Sequence, residues 1–532
     1  MTQRTDGPAA TIGQRAPKTS AAERLTWATA GLVFLFAALA TSTVFWVQDG
    51  DAAVYWVYAR SMWRDGMFHF AHAPVSYGAT SPAWAVLLSV ASLPAGGASI
   101  LLWKLAGVLA WIVLATLVYV LGHSVSASRT EAIGAAALVA LHPGLRTFAV
   151  SSYETPFFAA LVANAALATV LLPPTKPRPG ALAYSFLSLA LLPLGRPEGL
   201  LVAGSLAAVT LARHRSVRMA ALLACTLIPY LGFAAWMHAH TGAWVPSSVA
   251  ARQMMSAVGD SYLVPTSPLL AIARGLGVLF EGPAALRVAG YAMQALLLGA
   301  GAASFARSRP AFCASYAVVG LMLALGLSLN NPGYYLMRYA MPILPFAAVA
   351  MARGAGVLFR TLTPRLGAAT LPAAVLLGAL AFGQHFQATI RSAARDRFSP
   401  VDVLDTAGAA TLNPLLRESD VILTYEVQTA YHLDAPVVSA DGIVGGEILP
   451  YLRNGDIAAF IREHRISVVL TSTAYGYRSV YRNTLLEQLA AGDAAVRVGD
   501  LVTLGGVTFR KIAAQPRVDT TAFWRGAYAV VS

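Results

Sequence analysis

"LTWATAGLVFLFAALATSTVFWVQDGDAAVYWVYAR", Leu25 to Arg60, is the stretch whose reading decides the fold class. The run from Leu25 to Val47 carries no charged side chain. It is long enough to cross a hydrocarbon core, which takes about 20 mainly apolar residues. Two carboxylates, Asp49 and Asp51, then stand one residue apart at its mouth.

The rest of the chain has the same character. Of 532 residues, 57% are hydrophobic and only 12% are charged, against about 25% charged in an ordinary soluble domain. That composition fits an α-helical polytopic membrane protein whose first partner is the lipid bilayer. The net charge is +13, which in a soluble protein would suggest nucleic acid. Here the basic residues fall in short loops between apolar runs, so the excess reports topology and no nucleic-acid partner is expected. Cys225 and Cys313 lie inside apolar segments, so neither a disulfide nor a thiolate zinc site is expected. Residues 1–24 read as a disordered cytoplasmic tail. The run after it exceeds a signal-peptide core and lacks a cleavage site, so it is read as a retained span.

Eleven candidate spans follow: 25–47, 100–122, 131–148, 154–172, 180–195, 199–212, 218–238, 284–305, 311–329, 339–359 and 367–384. With the N-terminus inside, the inner connections carry Arg4, Arg15, Lys18 and Arg24, then Arg129, then Lys176 and Arg178, then Arg213, Arg215 and Arg218, then Arg307 and Arg309, then Arg353, Arg360 and Arg365. Cytoplasmic loops are enriched in Lys and Arg, so this placement sets the orientation. The transmembrane domain is read as 25–384, with a long first external loop over 48–99. Residues 385–532 are read as a small extracytoplasmic α/β domain, because "DVILTY", "APVVSA" and "ISVVLTS" alternate with helical patterns such as "GDIAAFIREH". "LVTLGGVTF" reads as a hairpin with a Gly-Gly turn. "DGIVGGE" lacks the spacing of a phosphate-cradling glycine loop.

This topology gathers five polar segments on the outer side. Asp49 and Asp51 follow the first span, "SSYETPFF" carries Glu154, and "GRPEG" carries Arg196 and Glu198. "HTGAWVPSSVAAR" carries Trp244 and Arg252, and "NNPGYYLMRYAMPILP" carries Tyr334, Tyr335, Arg338 and Tyr339. Ionisable groups at membrane level are costly and mark functional sites by default. A carboxylate deprotonates a hydroxyl or steadies an oxocarbenium-like sugar, and arginines hold a phosphate through charge-assisted bonds. The Asp-x-Asp spacing also suits a divalent cation, so Asp49 and Asp51 are candidate metal ligands. Each residue also has a plainer reading. The aspartates suit a helix start, "RPEG" suits a tight turn, and the tyrosines and Trp244 suit an interfacial belt. His69 and His72 read as loop residues.

The order "GDAAVYWVYAR … YGATSPAW … YETPFF … GRPEG … WVPSSVAAR … RYAMPILP" resembles the GT-C membrane glycosyltransferases, in particular the mycobacterial-type terminal arabinofuranosyltransferases that use polyprenyl-phosphate sugars. The likeness spans about residues 45–350. It implies transfer of a sugar, arabinofuranose by closest resemblance, from a polyprenyl-phosphate donor to a glycan or protein acceptor at the outer face of a bacterial cytoplasmic (inner) membrane. By that resemblance Asp51 is the catalytic carboxylate, with Asp49 beside it. Glu154 and Glu198 contact substrate hydroxyls, while Arg196 and Arg338 lie near the donor phosphate. Thr80, Ser81 and Trp84 border the site, and Trp244, Arg252 and Tyr339 complete the substrate-binding set. The chain departs from the pattern at Gly50, Val57, Ser247 and Arg252. A mannose or other hexose transferase on the same scaffold, a lipid flippase or transporter, and a non-catalytic scaffold are the readings left beside it.

Overall fold

A computed structural model describes residues 50–70, 76–173, 177–258, 284–330, 336–366, 408–425, 427–472, 475, 479–482, 484–514 and 524–531. Asp49, His72, Tyr334, Tyr335 and the candidate spans 25–47 and 367–384 lie outside these residues. The nine other candidate spans all fall on helices.

Five described helical stretches are long and apolar enough to cross a membrane: Ile100–Ser126, Glu154–Leu171, Val217–Thr241, Arg287–Ser308 and Arg338–Pro364. The helices that build this bundle are α3 (Ile100–Ser126), α4 (Arg129–Ala140), α5 (Pro143–Val150), α6 (Glu154–Leu171), α7 (Pro179–Gly195) and α8 (Gly199–His214). They continue with α9 (Val217–Cys225), α10 (Ile228–Thr241), α12 (Ala284–Ser308), α13 (Pro310–Asn330) and α15 (Leu344–Leu366). Their common core includes Leu114, Val118, Leu121, Phe158, Val162, Leu206, Phe346 and Val349. The span expected over 131–148 is not one rod. Its two pieces are bent by 61° where Pro143 removes a backbone donor and blocks the preceding turn.

Three shorter helices stand beside this set: α1 (Gly50–Asp65), α2 (Pro82–Ala91) and α11 (Ser247–Ala257). A further short helix, α14 (Leu336–Ala340), leads through a 3₁₀ turn into α15. Helix α1 is buried almost all round, with Ala52, Ala53, Tyr55, Trp56, Val57, Tyr58 and Ala59 inside the core. A helical segment that is apolar all round, as residues 52–59 are, must be covered on every face. The covering comes from the bundle on one side and the C-terminal sheet on the other.

That sheet has six strands in the order β2 (Val437–Ser439), β1 (Ile422–Thr424), β3 (Val468–Ser472), β6 (Trp524–Val530), β5 (Val507–Ala514), β4 (Leu501–Leu504). The β1–β2 and β1–β3 pairs are parallel, and the rest are antiparallel. Side chains alternate across a strand, and here the alternation divides two cores. Ile422, Val468 and Leu470 face the α1 cluster, whereas Leu423 and Val469 pack beneath α16 (Leu449–Asn454), α17 (Ile457–Glu463) and α18 (Leu485–Gly492). Gly505 and Gly506, at φ of 56° and 74°, make the hairpin turn between β4 and β5.

Away from the sheet, towards the far end of α15, Arg353 donates to both oxygens of buried Glu131 at 3.1 and 3.2 Å. Arg360 adds a third bond at 3.2 Å. Arg353 and Arg360, read from the sequence as markers of an inner connection, lie on α15 itself and tie it to α4.

Candidate active site

Glu154 is the first residue of α6, entered from a strained turn. Ser152 holds a left-handed backbone at φ 58°, a conformation of order 1–3 kcal/mol above the ordinary regions for a non-glycine residue. Two indoles hold it there. Trp56 Nε1 donates to Ser152 Oγ at 2.6 Å, and Trp84 Nε1 donates to the Ser152 carbonyl at 2.9 Å. Lys104 Nζ donates to the neighbouring Val150 carbonyl at 3.1 Å. Trp84 is thus a buried support for the turn that leads into Glu154. Trp84→Phe would strand a buried carbonyl, at a cost of about 1–3 kcal/mol, and thermal unfolding of the variant checks this.

Arg196 leaves the end of α7 in an extended conformation, φ −167°. The turn Arg196-Pro197-Glu198-Gly199 closes with Gly199 N–H donating to the Arg196 carbonyl at 2.8 Å. The turn brings Glu198 back under the guanidinium, where Nε and Nη2 donate to its two oxygens at 3.2 and 3.1 Å. This is the planar two-bond geometry that arginine forms with carboxylates. Nη1 of the same group donates to Glu154 Oε1. Arg196 is 2% exposed and Glu154 is 0% exposed, so this bridge lies within the protein rather than on its surface. Among the described residues Glu154 Oε2 has no hydrogen-bond partner.

Two more cations complete the cluster. Arg338 Nε lies 4.0 Å from Glu154 Oε1, with its guanidinium 5.1 Å from the Tyr153 ring centre and 5.8 Å from that of Tyr339. Arg252 Nη1 donates to the Tyr339 hydroxyl. The Tyr339 ring thus has Arg196 at 4.6 Å and Arg252 at 5.4 Å from its centre. Aromatic faces attract guanidinium groups and hold them in place without neutralising them.

Among the described side chains, three arginines stand against two carboxylates, so this part of the cluster is positive. Burial alone would lower the Arg196 pKa, but Glu198 and Glu154 outweigh it and hold the guanidinium charged. Burial pushes the Glu198 carboxyl up, and Arg196 more than reverses this. A depressed carboxyl pKa gives stability that is present above its ordinary value of 4.5 and lost as pH falls through the lower folded value. Acid unfolding followed with and without Glu198→Gln should therefore diverge only above that lower value.

Helix α1 contributes a neutral hydroxyl. Tyr55 Oη and Thr80 Oγ1 share a 2.8 Å hydrogen bond. Burial, and next the charge of Glu154, raise the phenol far above its ordinary pKa, so it keeps its proton. Asp51 is the second residue of α1, one turn before Tyr55; its side chain lies outside the described residues. The motifs contain Tyr55, Ser152 and Tyr153, but their reading gave none of the three a role. The left-handed turn at Ser152 has no glycine to mark it.

Ser81 is buried at the start of α2, with no partner for its hydroxyl among the described residues. Trp244 is 56% exposed and stacks on His238 at 4.2 Å, on the surface of the α10–α11 connection. His69 Nε2 pairs with Asp65 at 3.0 Å. Among the described residues no group of three or more His, Cys, Asp or Glu is set to hold a metal ion. The two described site acids are already bound by Arg196, so the described cluster fits an anion better than a divalent cation.

No protein-family model matches the sequence, and no curated protein matches it. Solved structures do match the fold. ArnT from Cupriavidus metallidurans in the apo state superposes with a TM-score of 0.58 at 12% identity, covering 95% of this chain and 97% of that one. The same protein bound to undecaprenyl phosphate gives 0.57 at 11% identity, with the same coverage. The Archaeoglobus fulgidus oligosaccharyltransferase, in complex with zinc and sulfate, gives 0.52 at 15%, covering 84% of this chain and 69% of that one. The mostly helical bundle of this chain, with its several apolar helices and small C-terminal sheet, therefore has the fold of these solved proteins.

Proposed function

We propose that this protein is a GT-C glycosyltransferase. It would move a sugar from a polyprenyl-phosphate donor to a glycan or protein acceptor at the outer face of the cytoplasmic membrane. The observation that carries this reading is the cluster of Arg196, Arg252 and Arg338 around Tyr339, guanidinium groups of the kind that hold a phosphate. The fold it shares with a protein solved bound to undecaprenyl phosphate supports the same donor class.

In this reading the acceptor hydroxyl oxygen bonds to the anomeric carbon as the bond from that carbon to the phosphate oxygen breaks. The electron pair leaves on polyprenyl phosphate, whose gained charge the arginines stabilise. Asp51 takes the acceptor proton. Glu154, fully enclosed, sets the arginines in place. Glu198, Thr80 and Tyr339 are only partly buried, so substrate hydroxyls would meet these. A single carboxylate base suits inversion at the anomeric centre. Arabinofuranose is the donor sugar favoured by the sequence resemblance, and mannose or another hexose is the alternative.

The test uses purified protein in nanodiscs with polyprenyl-phosphoryl arabinofuranose or mannose and an arabinan or mannan acceptor, following release of polyprenyl phosphate. Turnover with one donor is expected. Binding of neither donor, together with transport of lipid across the bilayer, would replace this reading with a flippase.

A further inference from the structure

The segment "DGIVGGE", Asp441 to Glu447, fits no phosphate loop, yet it meets two parts of the candidate site at once. Gly78 lies two residues before Thr80, and its backbone sits against that of Val444. A Cβ added at Gly78 would collide with Val444 Cα and come within 2.6 Å of the Val444 carbonyl oxygen. Ser247 opens α11, the helix of Arg252. Its N–H donates to the Tyr77 carbonyl at 2.6 Å, and its hydroxyl donates to the Ile443 carbonyl at 3.0 Å and lies 3.2 Å from that of Tyr77. A Cβ on Gly446 would meet Ser247 Cβ at 3.2 Å. From α1, the Tyr58 hydroxyl accepts from Gly78 N–H at 3.0 Å and reaches the Val444 carbonyl at 3.5 Å.

Three segments remote in sequence therefore meet backbone to backbone, with one serine bonding to two of them. Further along α11, Ala251, Met254 and Met255 pack with Ile448 and Leu449 of the sheet region. Arg252 on the same helix reaches Tyr339 in the cluster. An arginine side chain has many rotamers to lose, so its reach to Tyr339 depends on where its helix is held.

We propose that the Ile443–Gly446 segment is a positioning element of the candidate site, with Ser247 and Gly78 as the residues through which it holds Arg252 and Thr80 in register. The sheet region is then a working part of the site rather than a cover. This rests on the glycosyltransferase reading for the role of Arg252, but not for the junction itself.

The full chain in nanodiscs is compared as wild type, Ser247→Ala, Ser247→Thr and Gly78→Ala. Hydrogen exchange is read over 76–81 and 248–257, and affinity is read with undecaprenyl phosphate. In Ser247→Ala and Gly78→Ala, exchange in both segments is expected to rise about tenfold, with α7 and α8 unchanged. Affinity should weaken about tenfold, and Ser247→Thr should restore both. Unchanged exchange in either segment overturns the proposal. So does faster exchange throughout the chain, or a local rise that leaves affinity intact. A wild type that binds no undecaprenyl phosphate overturns the proposed function instead. The exchange comparison, which needs no ligand, then judges the junction alone.

Discussion

Replacing Arg196 with lysine is expected to cut turnover by about 10²-fold or more, in line with the effect of displacing a positioned group by about 1 Å. The guanidinium serves two carboxylates at once, two bonds to Glu198 and one to Glu154, while lying over the Tyr339 ring. An ammonium is a compact point charge that cannot reproduce the planar fork or the stacking. Glu154 would then keep only Arg338 near its Oε1, at 4.0 Å. Arg196→Met goes further and leaves a carboxylate enclosed without its main partner, which costs about 3–5 kcal/mol for buried pairs. The double variant Glu154→Gln/Arg196→Met removes both charges and should recover much of that stability. Denaturant unfolding and steady-state release of polyprenyl phosphate measure the two effects separately. Lysine at 196 with wild-type turnover would show that the fork is structural only.

Asp51→Asn is expected to abolish transfer while leaving a folded protein that still binds donor. Asp51 stands in the first turn of α1, where a carboxylate gains about 0.3–1 kcal/mol from the helix dipole. Asparagine serves helix starts about as well as aspartate, so unfolding should shift by no more than about 1 kcal/mol. A general base contributes about 10²–10⁴-fold to a rate, and the loss should fall in or beyond that range. Turnover that survives the substitution would return Asp51 to its plainer reading as the residue that starts α1.

The two variants separate roles that the sequence presents alike. Asp51, Glu154 and Glu198 are all acids beside apolar runs, with nothing local to rank them. Only in the folded chain is Glu154 enclosed, while Glu198 stays partly exposed between Arg196 and the site surface. Helix α6 begins at Glu154 behind a left-handed serine held by Trp56 and Trp84. Those contacts span 96 and 68 residues, and no short pattern encodes them. By contrast, Pro143 was visible in the sequence as a helix breaker, and the bend it causes could have been read there.

The sequence by itself determined the membrane class, most helix positions, the sheet-bearing tail and its Gly-Gly hairpin. Each depends on apolar length, side-chain period or a backbone freedom that acts over a few residues. Tertiary structure alone decided that Arg196 binds Glu154, that Arg252 meets Tyr339, and that Val444 rests on Gly78. Those pairings join residues far apart in the chain, and their energy comes from burial and shared charge that exist only once the helices and the sheet have packed together.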